Sequence, residues 1–193
     1  MDWDIRQELS KLSARDAAER LLGCKLIRET KAGSVSGVIV ETEAYDQSDE
    51  ASHTYRGLTK RNYVMFGPAG VLYVYFTYGM HYCMNVVIGE EGMGAAVLIR
   101  AVEPLDGIDI MIEQRKTPDI KNLCNGPAKL CQSFLIDKEL NGHDLKNPPL
   151  YLELKEPIPG NEVVWTERIG IRQNQQLLWR ACCKYSEYLS RPL

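Results

Sequence analysis

Two pairs of β-prone runs, each folded about a turn signal, leave the chain little choice of architecture. Cys24 to Arg28 and Ser34 to Glu43 flank Lys31-Ala32-Gly33, and Val71 to Phe76 and His81 to Val87 flank Thr77-Tyr78-Gly79-Met80. Ala96 to Val102 reads as a further strand, with later strands at Leu150 to Leu154 and Arg168 to Ile171. Helical periods are short. Ala14 to Leu22 follows a Ser13 cap and stops at Gly23, Leu105 to Arg115 is opened by Glu103-Pro104, and a third helix runs from Asn125-Gly126-Pro127 to about Phe134. Asp46 to Asn62 is polar and reads as a loop with one helical turn. Hairpins in place of alternating βαβ units predict an α+β fold. The expected form is a single compact domain over residues 1–193, with a mainly antiparallel curved β-sheet, flanking short helices and a protruding β-hairpin.

A chain of 193 residues can bury a core without disulfides or a structural metal. Its six cysteines contain no C-x-x-C pair and read as reduced, mostly buried thiols. His53, His81 and His143 stand apart from one another and from any ligand-like spacing, so no metal and no cofactor are expected. No apolar run approaches the ~20 residues of a membrane span. The first twelve residues carry Asp2, Asp4 and Glu8 without an apolar stretch, unlike a secretory leader. The expectation is a cytoplasmic protein, nucleoid-associated if bacterial, with monomer as the default state.

Charge is distributed unevenly. The net charge of −3 argues against a nucleic-acid partner, because phosphate binding is driven by Lys and Arg neutralisation. Residues 51–89 reverse that balance locally: they hold Arg56, Lys60 and Arg61, no Asp or Glu, and half of the chain's Phe, Trp and Tyr residues. Aromatics beside positive charge suit a surface that stacks on bases and tolerates phosphates. An aromatic-rich core hairpin would have the same composition, although each tyrosine hydroxyl would then need a partner.

In Ile39-Val40-Glu41-Thr42-Glu43-Ala44-Tyr45 the side chains alternate, which puts Glu41, Glu43 and Tyr45 on one face. A polar row facing solvent would account for that pattern. So would a pocket in which an aromatic wall desolvates a carboxylate that serves as general base, or the paired acids of a sugar hydrolase. Arg100 sits within an apolar strand, where an uncompensated charge is costly, so Glu41 or Glu43 is its natural partner. It could tie two strands together, or orient a catalytic water.

The run from Met65 to Asn85, MFGPAGVLYVYFTYGMHYCMN, together with Val40-Glu41-Thr42-Glu43-Ala44-Tyr45, closely resembles the alkyladenine (3-methyladenine) DNA glycosylase family. So do Leu98-Ile99-Arg100-Ala101-Val102-Glu103-Pro104 and Asn125-Gly126-Pro127-Ala128-Lys129-Leu130-Cys131, and the resemblance extends from about Ala17 to Ile171. It implies an enzyme that flips alkylated or deaminated purines out of duplex DNA and hydrolyses the N-glycosidic bond. By the same resemblance Glu43 is the base that activates water and Arg100 helps to position that water. Tyr45, His53, Tyr75 and Asn85 form the base pocket, and Tyr78 at the hairpin tip fills the gap left in the duplex. Arg61, Asn62, Met65, Met80, His81 and Lys129 are candidate DNA contacts. No catalytic role carries over to Glu41. No lysine lies between Lys31 and Lys60, which predicts a monofunctional enzyme without Schiff-base chemistry. The competing readings are a protein that binds damaged or single-stranded nucleic acid without turnover, and a carbohydrate or nucleoside hydrolase.

Overall fold

The computed structural model describes residues 4–77 and 79–193. Eight strands form one curled antiparallel sheet, and its shape is set by the longest strands. The strands are β1 (Lys25–Thr30), β2 (Gly33–Tyr45), β3 (Leu72–Thr77), β4 (His81–Ile88), β5 (Ala95–Asp106), β6 (Leu150–Glu153), β7 (Val163–Thr166) and β8 (Arg180–Cys183). They run in the order β3-β4-β5-β2-β1-β6, while β8 pairs with both β2 and β7. The helices are short: α1 (Ile5–Leu9), α2 (Ala14–Arg20), α3 (Ile108–Arg115) and α4 (Pro127–Ser133). This is the expected α+β fold, its sheet rolled into a half-barrel. No helix among the described residues is long and apolar enough to cross a membrane.

Strand β2 is the organising element. Its first half pairs with β1, its second half with β8, and its other edge with β5 along most of its length. Three irregularities interrupt the β2–β5 register, two of them around Glu41. Bulges of this kind bend a strand and sharpen its twist, so residues 41–45 turn away from β1 and into the concavity. Gly37 lies opposite Pro104, and a Cβ there would overlap Val102 and the carbonyl of Glu103. Only glycine permits that approach.

Both expected hairpins form, with Thr30 opposite Gly33 and Thr77 opposite His81. Tyr78 lies outside the described residues. Phe76, Met80 and His81 are exposed on the hairpin's end, where Phe76 packs against Tyr82 at a ring separation of 5.0 Å. The core lies between the sheet and α1, α2 and α4, centred on Leu9, Leu21, Leu26, Ile39, Met84, Ile99 and Phe134. A smaller cluster of Val64, Met65, Val71, Tyr73, Val87 and Ala96 underlies the far end of β3 and β4.

Several boundaries differ from the sequence reading. The helix expected from Leu105 begins at Ile108, because β5 continues through Pro104 to Asp106 and Gly107 turns the chain with φ +71°. The helical turn expected within residues 46–62 falls just beyond, at Tyr63–Phe66. The sequence reading assigned no element to Ile5–Leu9, which is capped by Asp4. Arg168 to Ile171 is loop and not strand. Its donors are spent on side chains and a distant carbonyl instead of a ladder, Gly170 has φ +79°, and β8 takes the place beside Glu43. Five of the six thiols are buried and all six are free.

Candidate active site

Glu41 and Glu43 are both 0% exposed, so the solvent-facing polar row is overturned. The two carboxylates have different surroundings. Glu41 accepts from Arg100 Nε at 2.8 Å, Arg180 Nε at 2.8 Å, Ser190 Oγ at 2.7 Å and Ser190 N at 2.6 Å. Burial alone would raise its proton affinity, but the arginines and Ser190 outweigh it and hold the carboxyl below the usual carboxylate range. With both guanidinium groups and both serine donors directed at it, Glu41 is a structural anchor.

Glu43 opens into a cavity of about 420 Å³. Its Oε2 accepts from Tyr45 Oη at 2.8 Å, its Oε1 from the Ile169 N–H at 2.7 Å, and Arg100 Nη1 stands 3.4 Å from Oε1. A carboxylate offers about four lone-pair sites, so two hydrogen bonds and one looser ion pair leave room for a water. Arg100 thus contacts both acids, its Nε on Glu41 and its Nη1 near Glu43. Burial alone would lower its proton affinity; the charges of Glu43 and Glu41 reverse the sign.

Aromatic rings wall the cavity. Tyr73 and Tyr75 alternate on β3 with centroids 5.7 Å apart, and His53 meets Tyr75 edge to face at 4.6 Å. His53 Nδ1 lies 3.1 Å from Tyr73 Oη. His53 is exposed at the cavity mouth while its ring packs against Tyr73 and Tyr75; that partial burial, and secondarily the charge of Arg61, lowers the imidazole toward about 4, and solvent screens part of the shift. The imidazole of the folded chain is therefore neutral near pH 7. Between pH 6.5 and about 4 the unfolded chain takes the proton first, so stability falls as pH drops through that window. His53→Gln is expected to flatten that part of the pH dependence, measured by urea unfolding at a series of pH values. Burial raises the proton affinities of the Tyr45 and Tyr75 hydroxyls, which stay protonated as donors.

The expected base-pocket residues Tyr45, His53, Tyr75 and Asn85 line this cavity with Glu43 and Arg100, as do Arg61 and Met65. Asn85 is opposite Tyr73 in the register and its Nδ2 donates to the Tyr73 carbonyl at 3.2 Å. Two of the candidate DNA contacts, Asn62 and Met65, are buried within the fold. Asn62 is buried, and its amide bridges the carbonyls of His53 and Gly57 while accepting from Thr59 N, so it braces the loop. Met65 is buried in the cavity wall. Lys129 Nζ is bound by Asn122 and Asn125.

The sequence reading missed Tyr73, although its i, i+2 relation to Tyr75 was a signal. It also missed the loop at residues 168–173. Arg168 is buried, donates to Asp49 and to the Ala44 carbonyl, and lies 4.7 Å from the Tyr45 ring and 5.3 Å from the Trp179 ring. The next residue, Ile169, directs its N–H onto Glu43. Among the described residues, no group of three or more His, Cys, Asp or Glu could hold a metal.

The curled sheet thus holds the buried Glu43 at a cavity walled by the stacked rings of Tyr73 and Tyr75 and by His53 edge-on to Tyr75. The sequence model of methylpurine-DNA glycosylase (MPG) matches residues 8–187. A protein of Carboxydothermus hydrogenoformans is 52% identical over 182 residues, covering 92% of this chain and 95% of the relative. Relatives from Methanoculleus marisnigri and Agrobacterium fabrum are 47% and 43% identical, covering 90% and 97% of this chain and 92% and 93% of their own lengths. All three are named "Putative 3-methyladenine DNA glycosylase". The chain belongs to the methylpurine-DNA glycosylase family.

Proposed function

We propose that this protein flips an alkylated or deaminated purine of the 3-methyladenine, 7-methylguanine, hypoxanthine and ethenoadenine class out of duplex DNA and hydrolyses its N-glycosidic bond. Glu43 carries the reading: a fully buried acid with spare acceptor capacity, opening into a cavity walled by tyrosines. Extrusion costs a few kcal/mol, less for a damaged or mispaired base. Inside, the base meets Tyr45, Tyr75 and His53. As the bond from C1′ to the purine nitrogen breaks, the electron pair leaves with the purine and the sugar gains oxocarbenium character. A water held by Glu43 and Arg100 bonds to C1′ and its proton passes to Glu43. Tyr78 acts as the wedge in the vacated stack.

Among the described residues the cavity has no lysine in its lining, which supports water and not an amine as the nucleophile. A duplex holding one hypoxanthine or ethenoadenine is expected to lose its base and to remain uncut until alkali is added. Strand breakage before alkali would refute the monofunctional assignment. Lesion binding without any base release would favour a recognition protein instead.

A further inference from the structure

The cavity wall carries a charge that base stacking and hydrolysis do not use. Four charged side chains line the cavity: Glu43, Arg61, Arg100 and Arg172. Arg100 is neutralised by Glu41 and Glu43. Arg61 makes no ion pair among the described residues, and residues 51–89 around it contain no acid to supply one. Its guanidinium lies 5.9 Å from the centre of the Tyr75 ring, within cation–π range, and it shares the cavity with His53 and Tyr73. Its field is felt there, because it helps to keep His53 neutral and lowers the proton affinity of Tyr73 against the effect of burial. The aromatic wall, which would otherwise favour cationic bases, therefore carries an uncompensated positive charge.

We propose that Arg61 sets the lesion preference of this cavity, disfavouring purines that carry a positive charge and favouring neutral purines that offer it a hydrogen-bond acceptor. The inference rests on the proposed function, in which the cavity receives a flipped purine. A purine alkylated at N7 is cationic and has lost that nitrogen as an acceptor. Hypoxanthine is neutral and keeps O6 and N7, which a guanidinium can donate to while stabilising the electron pair that the purine takes as it leaves. The first is repelled and the second assisted by the same side chain. Arg61 is also exposed, so solvent screening reduces the effect to about tenfold.

The test compares wild type, Arg61→Gln and Arg61→Lys on two duplexes of one sequence, one holding a single 7-methylguanine and the other a single hypoxanthine. Single-turnover base release and equilibrium binding are measured for both, the binding at several salt concentrations. Arg61→Gln is expected to raise the 7-methylguanine-to-hypoxanthine ratio about tenfold, and Arg61→Lys, which keeps the charge, to stay near the wild-type ratio. An unchanged ratio in Arg61→Gln overturns the proposal. So does an equal loss of affinity for both duplexes with a salt slope shallower by about one, the signature of a phosphate contact. If wild type releases neither base, the glycosylase reading fails by itself, and the binding ratio still decides the role of Arg61.

Discussion

Glu43→Gln is expected to lower single-turnover base release by about 10² to 10⁴-fold, the range for loss of a general base, while affinity for a lesion duplex changes by no more than about threefold. The substituted glutamine would fill the same volume and still meet Tyr45 and Ile169, but it cannot take a proton from water. Arg100 keeps its bond to Glu41, so the site should hold its shape. Release assays with enzyme in excess, paired with a binding titration, check both halves. Wild-type turnover in this variant would remove Glu43 from the role of base.

Glu41→Gln is expected to act on stability, lowering it by about 3–5 kcal/mol, because it leaves Arg100 and Arg180 buried and undercompensated. For a chain of this length each kcal/mol shifts the midpoint by roughly 2–4 °C, so thermal unfolding should show a drop on the order of 10 °C. The sign of the pH dependence follows from the depressed affinity of Glu41. Its contribution is complete above about 4.5 and is lost as pH falls through the lower folded-state value. The gap between wild type and variant should therefore be full at neutral pH and narrow in acid. Two carboxylates two residues apart thus separate into one enclosed by donors and one that lines the cavity.

Much of this was legible locally. Alternation gave Glu41, Glu43 and Tyr45 a common side of β2, turn chemistry set both hairpins, and the apolar strand around Arg100 required an acidic partner. The failures have a common cause. Arg168 to Ile171 is apolar enough to read as strand, yet its backbone and side chains serve Glu43, Ala44 and Asp49 in another part of the chain. Asn62 and Met65 lie in or beside the cation-rich, acid-free stretch, but Asn62 is drawn into polar contacts and Met65 into the cavity wall that only the folded loops create.

By itself the sequence determined the antiparallel architecture, the paired acids beside an aromatic hairpin and the cation-rich, acid-free segment, because strand period, turn residues and charge are properties of near neighbours. Which acid is neutralised and which is left facing the cavity was decided only by the tertiary structure. The donors that divide the two, Arg180, Ser190 and Ile169, lie 139, 149 and 126 residues along the chain from the carboxylates they bind. A bulge at Glu41 and the curl of the sheet bring them within hydrogen-bond distance, and no local pattern encodes that approach.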